Sequence, residues 1–305
     1  MTGTWWLWIP ITLFASGAQV ARNASQRQLQ GEIGTLGATF VRFVFAIPFS
    51  FAWLAVIFFI NPPSDFIFSF HYFAWLLVGS ISQIMGTALM LKAMDGEHFT
   101  LATAYVKTEV LQVTVFGIVF LAESIETTTI LAVIIATISV LTLSLQQSGS
   151  SSILSNLGSR ATMYGLASGA AFAISTVGFK GATISLGSDF LLTAAFSVVV
   201  SQVLQTVLMT LYFLKYKRGL LTRIFSTWRR SSVVGISGAC ASVGWFTAMA
   251  IEPIAHVRTL ALIEVLISYV ISVRLFKEQL QRAQIIAVIL LTISVGVVTL
   301  GSKLS

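Results

Sequence analysis

Charge is what this sequence has least of. Of 305 residues, 18 are Lys or Arg and 11 are Asp or Glu, 10% in all against 56% hydrophobic. Soluble domains carry nearer about 25% charged residues, so a water-facing globular surface is excluded and the chain reads as an integral membrane protein. Cysteine is reduced to Cys240, inside an apolar stretch, which leaves no internal disulfide framework. The histidines, His71, His98 and His256, lack any metal-ligand spacing, and no Gly-rich phosphate loop is present, so neither a metal, a cofactor nor direct drive by ATP is expected. A formal charge of +7 would suit nucleic acid in a soluble protein; here the cations fall between apolar stretches, and a lipid bilayer is the expected partner rather than nucleic acid. The N-terminus has no basic n-region or small-residue cleavage site, so it is expected to be kept as a first span, with Trp5, Trp6 and Trp8 at headgroup level.

What the chain does contain is apolar stretches of the length, about 20 residues, that a helix needs to cross the hydrocarbon core. Ten are predicted, over residues 4–22, 35–60, 71–93, 98–121, 127–147, 161–180, 189–213, 231–251, 255–275 and 283–301. Turn-forming runs separate them, among them Asn61-Pro62-Pro63-Ser64-Asp65, Asp95-Gly96-Glu97 and Glu252-Pro253. The fold class is therefore an all-α membrane protein of ten transmembrane helices.

Residues 93–145 and 248–300 are one pattern written twice, 155 positions apart, identical at 17 of 53 places. Apolar residues match easily by chance; three acidic pairs in register, Glu97 with Glu252, Glu109 with Glu264 and Glu123 with Glu278, do not. The chain is read as a duplication: a first five-helix unit over 1–147, a Ser/Gly-rich linker over 148–160 and a second unit over 161–305. Five is odd, so the second unit enters from the opposite face, which makes an inverted repeat with its binding site expected near the midplane between the units.

A Glu in the middle of an apolar helix, a second Glu 14 residues on and a further apolar helix resemble the EamA-type half of the drug/metabolite transporter superfamily, in both units. Ala132 and Ala287 stand where that family usually has Gly. The resemblance implies a secondary transporter of a small metabolite or drug-like molecule in a cell membrane, the bacterial inner membrane by preference, as a monomer or homodimer. It also implies a cavity built from helices of both units.

The cations suggest an orientation. Arg22, Arg27, Lys92, Arg160, Arg274, Lys277, Arg282 and six between 215 and 230 lie after odd-numbered spans, against Lys180, Arg258 and Lys303 after even-numbered ones. That bias places both termini outside the cytoplasm. The 214–230 loop, with Leu220, Leu221, Ile224, Phe225 and Trp228 among its cations, fits either an interfacial helix or an ordinary basic loop.

Charge at mid-bilayer costs roughly 2.5–3.5 kcal/mol on insertion scales, so each such residue needs a reason. Glu109 and Glu264 fall near the middle of spans 4 and 9. One reading has them line the cavity as proton or substrate sites, with the proton as coupling ion for export by antiport; the other has them tie helices together. Tyr105, Glu109 and Gln112 share a helical face. Lys107 sits about 200° around the helix from Glu109, so its partner must come from elsewhere. Arg42, inside span 2, fits either pairing with Glu109 or an anion-binding role. Gln19, Gln83 and Trp245 complete the expected pathway, beside Gly-rich stretches at 79–86 and 235–244 that fit either close helix packing or room for substrate. Glu123 and Glu278 read as interfacial helix ends. A lipid-intermediate flippase and a non-transporting scaffold are the alternatives; a membrane enzyme would need His or Asp clusters that are absent, so no enzyme is expected. Epitope tags at 120 and 280 are expected on opposite membrane faces; tags on one face would break the inverted arrangement.

Overall fold

In the computed structural model the described residues are 6–60, 66–94, 105–147, 160–187, 189–266 and 282–301, and they are helical with short turns between helices. The expectations for Glu97, His98, Arg274, Lys277, Glu278 and Lys303, and for the start of span 4 and the end of span 9, lie outside them. Five segments are long and apolar enough to cross a membrane: 8–60, 70–93, 160–185, 190–216 and 228–251.

The first of these, however, is not one rod. Helix α1, Trp8–Val44, is broken at Gly34, whose φ of 73° and ψ of 170° lie outside the helical region. Gln26 Nε2 donates to Ala38 O at 2.8 Å, whereas residues twelve apart in a straight helix are separated by about 18 Å. The chain therefore reverses at Gly34 into two antiparallel arms, 8–33 and 35–44. A second, gentler interruption at Phe45–Ala46 precedes α2, Ile47–Ile60, where Pro48 has no N–H to donate and its ring presses on the carbonyl four residues back. The first arm runs eleven residues beyond the expected end of span 1, which carries Arg22 into the bundle.

The remaining helices are α3 Phe70–Ala93, α4 Glu109–Leu121, α5 Thr127–Gln147, α6 Arg160–Ser185, α7 Phe190–Tyr216, α8 Arg218–Ser226, α9 Trp228–Ile251, α10 Ile254–Leu260 and α11 Arg282–Gly301. Local capping sets several starts: Ser69 accepts from Tyr72 N at 3.2 Å, and Asp189 accepts from Leu191 N at 2.9 Å, each satisfying a donor at a helix start that has no partner within the helix. Side chains such as Phe59, Phe70, Ile60 and Leu300 stand exposed on the outer faces, a surface that suits lipid and not water. Trp5 lies outside the described residues, and Trp8, expected at headgroup level, is instead buried against His256 at a centroid distance of 6.3 Å.

Glycine decides how closely the long helices meet. α3 packs along α6 and α1 along α9. A Cβ on Gly79 would lie 2.7 Å from Phe179 and one on Gly86 2.9 Å from Phe172, while one on Gly235 would lie 2.3 Å from the Phe45 carbonyl oxygen. The Gly-rich stretches thus serve helix packing. Turns gather at two ends. At one, Ile67 N donates to Leu186 O at 3.1 Å, and Glu123, after α4, accepts from Ile254 N at 3.2 Å. At the other, the Gly34 turn meets α8, where Arg223 Nη2 donates to Glu32 O at 2.6 Å. Within the 214–230 stretch, helix α8 buries Ile224 and leaves Phe225 exposed.

Substitution separates close approach from backbone strain. Gly235→Ala should lower the unfolding midpoint of the detergent-solubilised protein more than Gly34→Ala, which meets open space and bears only the cost of a positive-φ extended backbone that glycine alone adopts readily, roughly 1–3 kcal/mol. Gly31→Ala, in open space without positive φ, should be close to neutral. Equal shifts for all three would remove the packing account.

Candidate functional site

Span 4 does not run straight into α4. A single turn at 105–107 precedes it and tightens at Thr108, whose N–H donates to Tyr105 O at 3.2 Å in an i to i−3 pattern. The last described part of span 9 does the same: α10 ends at Leu260, and a turn at Ala261–Leu262 precedes residues 263–266, with Leu262 N donating to Thr259 O at 3.1 Å. Each interruption falls within three residues of the paired glutamates, Glu109 and Glu264. Such tightening re-aims side chains that a continuous helix would have put on one face. Tyr105 is buried beside Leu141 and Leu166 and is not among the residues that line the central cavity with the other candidates.

Around the glutamates the two parts of the chain exchange charges. Lys107, next to α4, pairs with Glu264. Arg258, on α10, pairs with Glu109 at 3.3 Å. Thr176 on α6 joins the second pair, accepting from Arg258 Nη2 at 2.7 Å and donating to Glu109 Oε1 at 3.4 Å. The guanidinium of Arg258 lies 4.7 Å from the Trp245 ring centroid, an attractive cation–π arrangement, and Trp245 Nε1 donates to Gln19 Oε1 at 3.0 Å. The partner sought for Lys107 is thus Glu264, and the pairing of Arg42 with Glu109 weighed above is not made. Arg42 instead donates from Nη1 to Thr87 Oγ1 at 2.7 Å.

These groups surround a cavity of about 50 Å³ lined by Gln19, Arg22, Arg42, Gln83, Lys107, Glu109, Thr176, Trp245 and Arg258, with Phe172, Phe179 and Phe246 among its apolar wall. Gln83 is held in place by Gln205, whose Nε2 donates to its Oε1 at 2.8 Å. Five of the seven expected pathway residues therefore meet at one cavity. Glu264 touches it through Lys107, and Tyr105 does not. Pockets that enclose a drug-sized ligand run to about 300–1,000 Å³, so the bundle is closed around its centre in this conformation.

Arg22 and Arg258 were missed as site residues. Both were counted as loop cations, and Lys180 with them, yet Arg22 is 2% exposed, and Arg258 and Lys180 are held inside the bundle. The overlooked signal for Arg22 was a polar stripe, Gln19, Arg22, Gln26 and Gln30, at helical spacing through the expected end of span 1. Lys180 pairs with Glu123 and donates to Glu252 O at 2.9 Å. Glu123, at the end of α4, thus links α4 to α6 and α10. Beside it His256 bonds Glu252 through Nδ1 at 2.5 Å and Thr129 through Nε2 at 3.3 Å, a hydrogen-bonded core histidine. Among the described residues no group of three or more His, Cys, Asp or Glu could hold a metal ion.

A multi-pass helical bundle with opposed charges buried around a central cavity is the build of a membrane transporter. Residues 3–145 match the sequence model of the EamA-like transporter family, part of the drug/metabolite transporter superfamily. No curated protein matches the chain. Among solved structures 28 chains match. One crystal structure is similar over 99% of this chain and 99% of its own at 12% identity and a TM-score of 0.66, which shows a common fold alone.

The Lys107–Glu264 pair, with side chains 17% and 9% exposed, is open to a double-mutant cycle. Lys107→Met should destabilise by up to roughly 3–5 kcal/mol because it takes a charged partner from a buried carboxylate, and adding Glu264→Leu should recover part of that loss. Additive losses, read from thermal unfolding, would show that the two side chains do not interact.

Proposed function

We propose that this protein is a secondary transporter that carries a small molecule across a cell membrane by alternating access, with ten spans arranged as two inverted five-helix units over 1–147 and 161–305. The observation that carries the reading is the crosswise pairing around the cavity: each unit's repeated glutamate is held by a cation of the other unit. The packing pattern gives further support. α3 against α6 and α1 against α9 exchange places when the repeat is applied, as expected of units related by a pseudo-two-fold axis. The tightened turns beside Glu109 and Glu264 are likewise related by the repeat.

The centre of the bundle is closed. To admit a substrate the two units must part at one end while contacts at the other hold, and then reverse. Links between the units stand at both ends, Glu123 with Lys180 at one and Glu32 with Arg230 at the other. Proton coupling would act on the central pairs: a proton on Glu109 releases Arg258, and one on Glu264 releases Lys107, so that each carboxylate trades a proton for an ion pair. Export by proton antiport is the coupling we assign. With Arg22, Lys180 and Arg258 removed from the loop count, the surviving excess of loop cations at the Gly34 end supports non-cytoplasmic termini.

A metabolite library screened by thermal shift identifies binders, because a ligand of the folded state raises its apparent stability. A binder is expected to show counterflow in proteoliposomes and to move with protons. Glu109→Gln should abolish the proton movement while the protein stays folded. Binding without counterflow would overturn the carrier reading, and full coupled activity in Glu109→Gln would remove that carboxylate from the mechanism.

A further inference from the structure

Among the described residues the charges around the cavity do not balance. Four cations, Arg22, Arg42, Lys107 and Arg258, face two carboxylates, Glu109 and Glu264. The crosswise pairs consume both carboxylates, and Arg22 and Arg42 remain. Among the described residues neither has a carboxylate within ion-pairing reach. Arg22 donates to Asn23 Oδ1 at 2.9 Å from Nη2 and at 3.3 Å from Nε, and its Nη1 has no partner. Arg42 has one hydroxyl, that of Thr87, and lies 5.4 Å from the Phe43 ring centroid.

Their positions rule out the usual escape for membrane arginines. A long side chain near a helix end can reach the interface and keep its head in water. Arg22 and Arg42 are 2% and 5% exposed and belong to antiparallel arms of one hairpin. Gly238 of α9 lies beside both: a Cβ there would be 3.3 Å from Arg42 O and 3.6 Å from Arg22 Cδ. An unpaired buried guanidinium is costly, and an anion entering between two of them recovers that cost through charge-assisted, fork-like hydrogen bonds.

We propose that the cavity binds an organic anion, with Arg22 and Arg42 holding a carboxylate or phosphate group and Phe172, Phe179, Trp245 and Phe246 receiving an apolar portion. A cationic amine would add to the surplus positive charge and would have to displace Arg258 or Lys107 from carboxylates already paired. A neutral ligand would leave both arginines uncompensated. The proposal deepens the carrier reading and depends on it only for the claim that the bound anion is moved.

The test uses the purified full-length protein and probes that share a benzyl or phenyl group but differ in charge: phenylpropionate, phenyl phosphate, phenethylamine and benzyl alcohol, with inorganic phosphate as control at matched ionic strength. At millimolar concentration one or both organic anions should raise the unfolding midpoint by about 3 °C or more, and the carboxylate and phosphate arms decide which head group is preferred. The amine, the alcohol and inorganic phosphate should not. Arg42→Gln and Arg22→Gln should each weaken anion binding by about tenfold or more, while the ligand-free variants unfold at or above the wild-type midpoint, because a surplus charge has been removed. A shift from the amine or alcohol equal to that from the anions, a shift from inorganic phosphate alone, no shift from either organic anion, or ligand-free variants that unfold well below wild type would overturn the anion site. The probe series on the unmodified protein decides the matter even where a variant fails to fold. Counterflow separates the two claims: an anion that binds without being exchanged leaves the site and removes the carrier, whereas exchange of the amine without an anion effect leaves the carrier and removes the site.

Discussion

Two buried ion pairs, Lys107 with Glu264 and Arg258 with Glu109, are the constraint around which the bundle is arranged. Charges taken out of water are stable only when paired and hydrogen-bonded, and each of these finds its partner across the middle of the molecule. Two helices therefore cannot be placed independently. Lys107 and Glu109 are neighbours on one of them, Arg258 and Glu264 on the other, so the pairs fix both the distance between these helices and their axial register. Thr176 extends the constraint to α6, and Trp245 and Gln19 extend it to α9 and α1.

Glycine packing and charge pairing are complementary. Helices whose backbones approach as closely as α9 and the Phe45 carbonyl, or α6 and α3, leave no volume for bulky side chains at the contact. That closeness holds the outer faces of the bundle firmly. The centre, filled by long flexible cations and aromatic rings rather than by interdigitated aliphatic groups, is the part that can rearrange.

Much of this was legible in the sequence, for physical reasons. Apolar length located the helices because hydrocarbon admits nothing else, and acidic residues in register pointed to a repeat because composition does not readily produce them by chance. The same scarcity made Glu109, Glu264 and Arg42 conspicuous. What could not be read was the side-chain geometry created by local breaks. Tyr105 packs beside Leu141 and Leu166 rather than at the central cavity, and the partners of Lys107 and Glu109 lie about 150 residues away, beyond any helical spacing. Arg22 was hidden by a boundary error: an apolar window ends where polar residues accumulate, although a polar stripe on one side of a helix does not stop it. Arg258 and Lys180 were misplaced for the related reason that a cation near a span end was assumed to face water.

The two inter-unit links at the ends of the bundle differ in their contact with solvent. Lys180 and Glu123 have side chains 9% exposed each, whereas Arg230 and Glu32 are 72% and 42% exposed. Dissolved ions screen the second pair and scarcely reach the first. Dissolved salt thus loosens one end of the bundle and scarcely touches the other, so ionic strength alone sets how unequally the two ends are held.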